Sequence, residues 1–321
     1  MALPSALSPQ PDSSALSAAT TPLWEETSLF SLNSLYPLHG NKAYKLAPNI
    51  RAAREEGLDE IVTIGGAWSN HLWSTAHLAS SVGLGGVVYV RGEPGHGLTP
   101  TLSDVVRCGF EIEFLSRGEY RKKDEDSFLK ALKARHPKAF WIPEGGSNEA
   151  GIAGAALIAD HVLAACPQVQ HVVMAAGTGG TFAGLVRGLC GRAMAHGVCV
   201  TKDDSIEVKV REWLRERIGH DAWRFHGDYH WGGYAKCPKD LITFMQDLES
   251  RCGLLLEPIY VAKALWAAKA LQEAGEITGQ TVVVHTGGLQ GRRGFEQLAR
   301  SWALHYKLGS KQEGTDSTWR R

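Results

Sequence analysis

No apolar run in the sequence approaches the roughly 18 residues that a membrane span needs, so it offers no candidate transmembrane helix. Net charge is missing too. The 34 Lys and Arg balance 34 Asp and Glu, so nothing argues for a nucleic acid or an anionic membrane as partner. CxxC is absent. Six scattered cysteines, at 108, 166, 190, 199, 237 and 252, read as buried free thiols of a reducing cytoplasm, not as a disulfide framework or a zinc site. Histidine pairs such as His226 and His230 do not form a complete metal-ligand set, and no metal is expected. Residues 1–20 lack a basic start and an apolar block, so they do not read as a secretory signal. Rich in Ser, Ala and Pro, they are expected to form a disordered tail, and the polar end Lys307–Arg321 is expected to fray. There is no Walker loop, no GxSxG, and no GxGxxG with an acidic residue about 20 positions on. These absences disfavour P-loop enzymes, serine hydrolases and dinucleotide-binding dehydrogenases.

What is present is an ordinary globular composition, 44% hydrophobic and 21% charged over 321 residues. That is enough for one large domain or two medium ones with an ample core. From about residue 57, short apolar runs alternate with longer amphipathic ones. Ile61–Ile64, Gly86–Arg91, Phe110–Leu115 and Ala139–Pro143 read as strands, with helices predicted over 69–82, 99–108 and 124–136. This alternation implies a parallel sheet covered on both faces. Gly145-Gly146-Ser147-Asn148 breaks the run, and a second series follows. It comprises a helix from about Glu149 to Ala164, the strand His171–Ala176, a helix after Thr181, a short strand Val198–Val200 and a helix near Ile206–Ile218. Residues 224–237 read as an aromatic loop. Helices Pro238–Arg251 and Pro258–Ala274, the strand Gln280–His285 and a last helix from about Arg292 complete the series. Two α/β halves whose strands end in glycines imply a cleft at the C-terminal strand ends.

The chemistry concentrates at those ends. Gly177-Thr178-Gly179-Gly180-Thr181 follows a strand and opens a helix. Its open backbone N–H groups, its hydroxyls and the helix N-terminus suit a phosphate cup; a tight turn that binds nothing is the other reading. Gly65-Gly66-Ala67-Trp68-Ser69-Asn70-His71 ends a strand in the same way. Ser69 suits a helix cap, and Ser69, Asn70 and His71 together suit a substrate carboxylate. In Val284-His285-Thr286-Gly287-Gly288, His285 reads as a satisfied core histidine. Tyr260 stands in a first helical turn after Glu257-Pro258-Ile259, and Tyr234 follows Trp231-Gly232-Gly233; each suits packing or a site. Gly40-Asn41-Lys42-Ala43-Tyr44-Lys45-Leu46 brings a lysine to a helix start. A solvated lysine is the commoner state. It becomes a catalytic amine only where its surroundings lower its pKa or tie it to a carbonyl. One cofactor uses a lysine, a phosphate cup and a neutral polar group at a strand end together, and that is pyridoxal 5'-phosphate.

In order, GNKxxKL, GGxxSNH, PEGGSN, GTGGT, the Pro-x-Tyr helix start and HTGG resemble the family of 1-aminocyclopropane-1-carboxylate deaminase and D-cysteine desulfhydrase, from about Thr21 to Tyr306. The resemblance implies an α/β fold of two open parallel-sheet domains, tryptophan synthase β-like, which is pyridoxal-phosphate fold type II. Residues 1–47 and 146–321 would form the large cofactor-binding domain and 48–145 the small α/β domain. It also implies a homodimer acting on a small amino acid. Lys42, not Lys45, would be the Schiff-base lysine, with Lys45 as structural support. Asn70 would hold the ring hydroxyl, with Ser69 and His71 near the substrate carboxylate. Gly177, Thr178, Gly179, Gly180 and Thr181 would bind the phosphate. Tyr260 and Tyr234 would face the substrate, and Thr286 would sit by the pyridine nitrogen.

The sequence departs from the family at three places. His39 stands where relatives often have glycine, and Thr21–His39 is short and lacks the usual Lys-Arg-Asp-Asp run. Val261 stands where ring-opening deaminases carry glutamate, and Thr286 where they carry leucine. The sequence resembles the desulfhydrase branch at Thr286 and neither branch at Val261. A neutral hydroxyl at the pyridine nitrogen stabilises a protonated ring less than a carboxylate does, which favours β-elimination over transamination. The expectation is therefore a D-cysteine desulfhydrase-like lyase, with Lys42 as the α-proton base and a tyrosine protonating the leaving group. A ring-opening deaminase and a pyridoxal-phosphate-binding protein without useful turnover are the alternatives.

Overall fold

Each series of apolar runs becomes its own sheet in the computed structural model, which describes residues 10–95, 97–214, 219–295 and 298. Ten strands run in chain order: β1 (Thr20–Trp24), β2 (Thr27–Ser31), β3 (Glu60–Gly66), β4 (Gly85–Arg91), β5 (Phe110–Leu115), β6 (Ala139–Ile142), β7 (His171–Ala176), β8 (Met194–Cys199), β9 (Trp223–His226) and β10 (Thr281–His285). The larger sheet has the order β1-β2-β10-β7-β8-β9 and the smaller β5-β4-β3-β6. All pairings are parallel except β1 with β2.

Apolar side chains fill both faces of each sheet, as continuous apolar strands require. On the larger sheet Val172, Met174, Val282 and Val284 face one core with Phe182 and Ile152. Their neighbours Val173, Ala175 and Val283 face the other with Leu241 and Leu265. The smaller sheet divides likewise between Ile61, Val88 and Val90 on one side and Val62, Ile64 and Tyr89 on the other.

Close helix packing seats the cup. On the helix Gly180–Leu189, a Cβ at Gly184 would lie 2.5 Å from the Ala155 Cβ, and one at Gly188 would lie 2.2 Å from the Ala156 carbonyl oxygen. Only glycine lets the helix Glu149–Ala165 approach so closely. That helix also supports Asn41–Glu55, the helix that carries Lys42. Pro48 lies inside Asn41–Glu55 and has no N–H for the Tyr44 carbonyl. Gly154 passes there, where a Cβ would lie 2.2 Å from that oxygen.

Several elements differ from the sequence reading. The strands β1, β2 and β9 were not anticipated, and β9 opens the stretch expected to be loop throughout. The short strand expected at Val198–Val200 begins instead at Met194, because His196 and Gly197 dilute its apolar run. Ser13–Ala18 is a helix capped by Asp12, with Leu16 buried, so the disordered reading of residues 1–20 is corrected over that part; residues 1–9 lie outside the described residues. Near Arg292 a 3-10 turn, Leu289–Gly294, replaces the start of the expected helix. The tail Lys307–Arg321 lies outside the described residues. All six cysteines are free. Among the described residues no helix is long and apolar enough to cross a membrane.

Candidate active site

The C-terminal ends of β3, β6, β7 and β10 meet at the start of the helix Asn41–Glu55. Gly40, just before it, has φ +51°, and a Cβ there would lie 2.2 Å from the Thr286 carbonyl oxygen. The Asn41 N–H donates to the same oxygen at 3.0 Å. Its side-chain amide donates to Thr181 Oγ1 at 2.8 Å. Two glycine-ended strands therefore pin the lysine's helix at its first turn. Lys42 Nζ turns toward the Gly145 carbonyl at 3.4 Å. Burial holds its pKa down from 10.5 to about 8, while the Glu144 carboxylate pulls the other way. Lys42 is half-buried, unlike a lysine on an open helix face.

The cup forms the turn after β7, with Gly179 in the left-handed region at φ +81°. Lys45, one helical turn beyond Lys42, is fully buried. Its Nζ donates to Ser147 Oγ at 2.8 Å, and Ser147 Oγ in turn bonds Thr178 Oγ1 at 2.8 Å. The ammonium also abuts the first residue of the cup's helix: a Cβ at Gly180 would lie 2.7 Å from it. Among the described residues no carboxylate pairs with it, and burial together with the Lys42 charge pushes its pKa well below 10.5. A buried ammonium without a counter-ion is costly. An anion in the cup would supply the missing charge, so the donor set fits a phosphate. The sequence reading left Lys45 as structural support and missed this. The i, i+3 spacing of the two lysines was the available signal, since it places them on one helix face.

Asn70 begins the helix Asn70–Ser80 and lies across from the end of β10. Its Oδ1 accepts from Gln290 Nε2 at 2.9 Å, and its Nδ2 lies against Gly288. Gly288 allows this approach: a Cβ there would lie 2.3 Å from Asn70 Nδ2. Ser69 caps the helix, its hydroxyl accepting from the Leu72 N–H at 3.3 Å. His71 is buried, with Nε2 2.7 Å from Thr63 Oγ1. Thr63 donates its own proton to the Ile142 carbonyl at 2.7 Å, so the imidazole must donate from Nε2 and keep a lone pair on Nδ1. That Nδ1 has no partner among the described residues. Burial and the two lysines hold the ring neutral. The Thr286 side chain is buried at the end of β10. His285 donates to the Leu255 carbonyl at 3.0 Å and accepts the Gly287 N–H at 3.0 Å, a fully satisfied core histidine.

Tyr260 reaches the cup from the other side; a Cβ at Gly177 would lie 2.9 Å from its ring. Tyr234 meets it edge to face, with ring centroids 5.8 Å apart. Burial pushes the Tyr234 hydroxyl up to about 12, and burial with the neighbouring Tyr234 pushes Tyr260 well above 10.0. Both phenols keep their protons. Glu257, which the sequence reading did not single out, anchors this wall. Its buried carboxyl accepts from the N–H groups of Ile259 at 3.0 Å and Tyr260 at 2.6 Å. Burial raises its pKa to about 7 against those bonds.

Residues 19–287 match the family described as pyridoxal-phosphate dependent enzyme. The chain belongs to this family. The enzyme is 30% identical over 270 residues to a putative 1-aminocyclopropane-1-carboxylate deaminase of Pyrococcus abyssi, covering 78% of this chain and 81% of that one. It is 27% identical over 272 residues to a D-cysteine desulfhydrase of Klebsiella pneumoniae, covering 78% and 82%. The crystal structure of an ACC deaminase homologue shares its fold, with a TM-score of 0.72 over 91% of this chain and 99% of that one at 24% identity. The fold is thus α/β of fold type II.

Two departures from the family pattern are structural in this enzyme. His39 is half-buried beside Trp73, ring centroids 5.3 Å apart, and desolvation with the nearby His77 lowers its pKa to about 3. Val261 is buried at the first turn of the helix Val261–Glu273, where it places no charge beside Tyr260.

Proposed function

We propose that this enzyme catalyses β-elimination and deamination of a small amino acid, in the manner of a D-cysteine desulfhydrase. The observation that carries the reading is the pair of protonated phenols, Tyr260 and Tyr234, at the cup, with Lys42, whose pKa burial lowers to about 8, at the same strand ends, where the Glu144 charge bears on all three. An elimination needs a base and an acid at one place, and these groups supply both. Bound pyridoxal 5'-phosphate supplies the electron sink that makes the substrate α-proton removable. In this proposal Gly177 to Thr181, Ser147 and Lys45 hold the phosphate, Asn70 the ring hydroxyl and Thr286 the pyridine nitrogen. Ser69, Asn70 and His71 orient the substrate carboxylate at their helix N-terminus. Lys42, neutral above about 8, removes the α-proton. Tyr260 or Tyr234 donates to the departing sulfur. D-cysteine and one water give sulfide, pyruvate and ammonia.

Relatives of both branches support the reading at family level, and the apolar Val261 with the hydroxyl of Thr286 favours elimination over cyclopropane ring opening. We further propose that residues 1–47 with 146–321 act as the cofactor-binding domain and 48–145 as the small domain. The enzyme would be a homodimer of the reducing cytoplasm, consistent with six unpaired thiols.

Sulfide and pyruvate release from D- and L-cysteine, beside 2-oxobutanoate release from 1-aminocyclopropane-1-carboxylate, tests the function. D-cysteine turnover that Lys42→Ala abolishes is the expected result. Oxobutanoate without sulfide would move the enzyme to the deaminase branch. No product from any amino acid would favour a binding protein.

A further inference from the structure

Lys263 lies in the first turn of the helix Val261–Glu273 and takes no part in the chemistry above, yet it is fully buried. Its Nζ is ringed by four backbone carbonyl oxygens: Val200 at 3.1 Å, His230 at 2.9 Å, Gly233 at 2.8 Å and Tyr234 at 3.1 Å. No carboxylate pairs with it among the described residues. Four acceptors and no donor call for the protonated amine, which has three N–H bonds to give.

Three of these oxygens come from one short segment, His230–Tyr234, whose backbone is bent into an uncommon shape. Trp231, Gly232 and Gly233 have φ of +56°, +89° and +133° in succession. This run turns the carbonyls inward, where an unpartnered buried carbonyl would be costly. The segment ends in Tyr234. The ammonium belongs to the same helix that starts after Tyr260. Trp231 also rests on Trp266 of that helix, ring centroids 5.0 Å apart. One cation thus ties the backbone of one phenol to the helix of the other.

We propose that Lys263 is a positioning residue: its ammonium folds His230–Tyr234 around itself and so fixes Tyr234 against Tyr260. The inference rests on the reading of Tyr234 as a substrate-facing phenol. Four convergent carbonyls also make a cage of the kind that holds a monovalent cation, so an emptied cage should accept ammonium or potassium from solution.

The test uses the cofactor-loaded enzyme with Lys263→Met, Tyr234→Phe and the double variant, measured by sulfide release and by amide hydrogen exchange. Tyr234→Phe should lower kcat at least 10-fold. Lys263→Met should lower it 10- to 100-fold, with faster exchange over residues 230–236 and unchanged exchange over Gly180–Leu189. In the Tyr234→Phe background the same substitution should cost less than 2-fold. Equal losses in the two backgrounds, or unchanged exchange over 230–236, would overturn the proposal while leaving the role of Tyr234 standing. A silent Tyr234→Phe overturns both. If the methionine variant does not fold, Lys263→Ala replaces it. Ammonium or potassium chloride, but not tetramethylammonium chloride, should then restore kcat, and a folded Lys263→Ala enzyme indifferent to all three salts would also sink the idea.

Discussion

Replacing Lys45 with methionine should move cofactor affinity and apoprotein stability in opposite directions. In the loaded enzyme the ammonium would make a charge-assisted hydrogen bond to a phosphate oxygen, worth about 1.5–3 kcal/mol. Its loss should weaken cofactor binding roughly 10- to 150-fold. Without the cofactor the ammonium is buried, and among the described residues it has one neutral partner, Ser147 Oγ at 2.8 Å, and no carboxylate. Methionine of similar length removes that buried charge, and replacements of this kind are neutral or stabilising by about 1–4 kcal/mol. The pH dependence follows from the direction of the shift. The folded-state pKa lies below 10.5, so the native lysine costs stability only where the unfolded lysine is charged. The advantage of Lys45→Met should grow as pH falls from 10.5 and be absent above it. Titration of apoprotein with pyridoxal phosphate, followed by visible absorbance, gives the affinity; thermal unfolding of the apoprotein gives the stability. Inorganic phosphate should raise the melting temperature of the native apoprotein and leave that of the variant unchanged. An unchanged affinity together with a less stable apoprotein would refute the reasoning and make Lys45 a packing element.

The remaining predictions concern the helix start. Labelling of the Lys42 amine in apoprotein by an amine-selective reagent should rise with pH around a midpoint of about 8; peptide mapping that finds a midpoint above 10 would contradict the burial argument. Gly40→Ala forces a Cβ to 2.2 Å from the Thr286 carbonyl at φ +51°. It should cost about 1–3 kcal/mol and weaken cofactor binding, since Lys42 and Thr286 move together; denaturant melts and cofactor titration that both match the native protein would disprove the close contact.

The inner strands were legible because they are continuous apolar runs between glycine breaks, as in Val172–Ala176 and Val282–Val284. Two of the three missed strands, β1 and β9, are the edges of the larger sheet, and β2 lies between β1 and β10. Pro22 in β1 reads as a strand breaker and is tolerated because β1 is an edge. Trp223–His226 is only partly buried at the opposite edge, so it shows no clean alternation. The ordered motifs revealed the site as a set, but not what each buried charge does. Lys263 and Lys269 sit in the same helical run, and nothing local separates them. One lies among four carbonyls, while the other is half exposed and pairs with Glu273 at 3.7 Å. Glu257 was hidden similarly: its bonds run to its own helix start, and only burial marks it out.

The sheet order also dictates when the site can come into being. All four strands of the smaller sheet lie within Glu60–Ile142, so that half can close as soon as it leaves the ribosome. The larger sheet cannot, because β10 inserts between β2 and β7 and sets Thr281 beside Thr27. Closing so long a loop is slow and comes late in folding. Gly40 and Asn41 gain their seat on the Thr286 carbonyl only at that moment. During most of synthesis Lys42 is an ordinary, fully protonated lysine. The seat of the helix start that carries Lys42 is therefore complete only once β10 is in place.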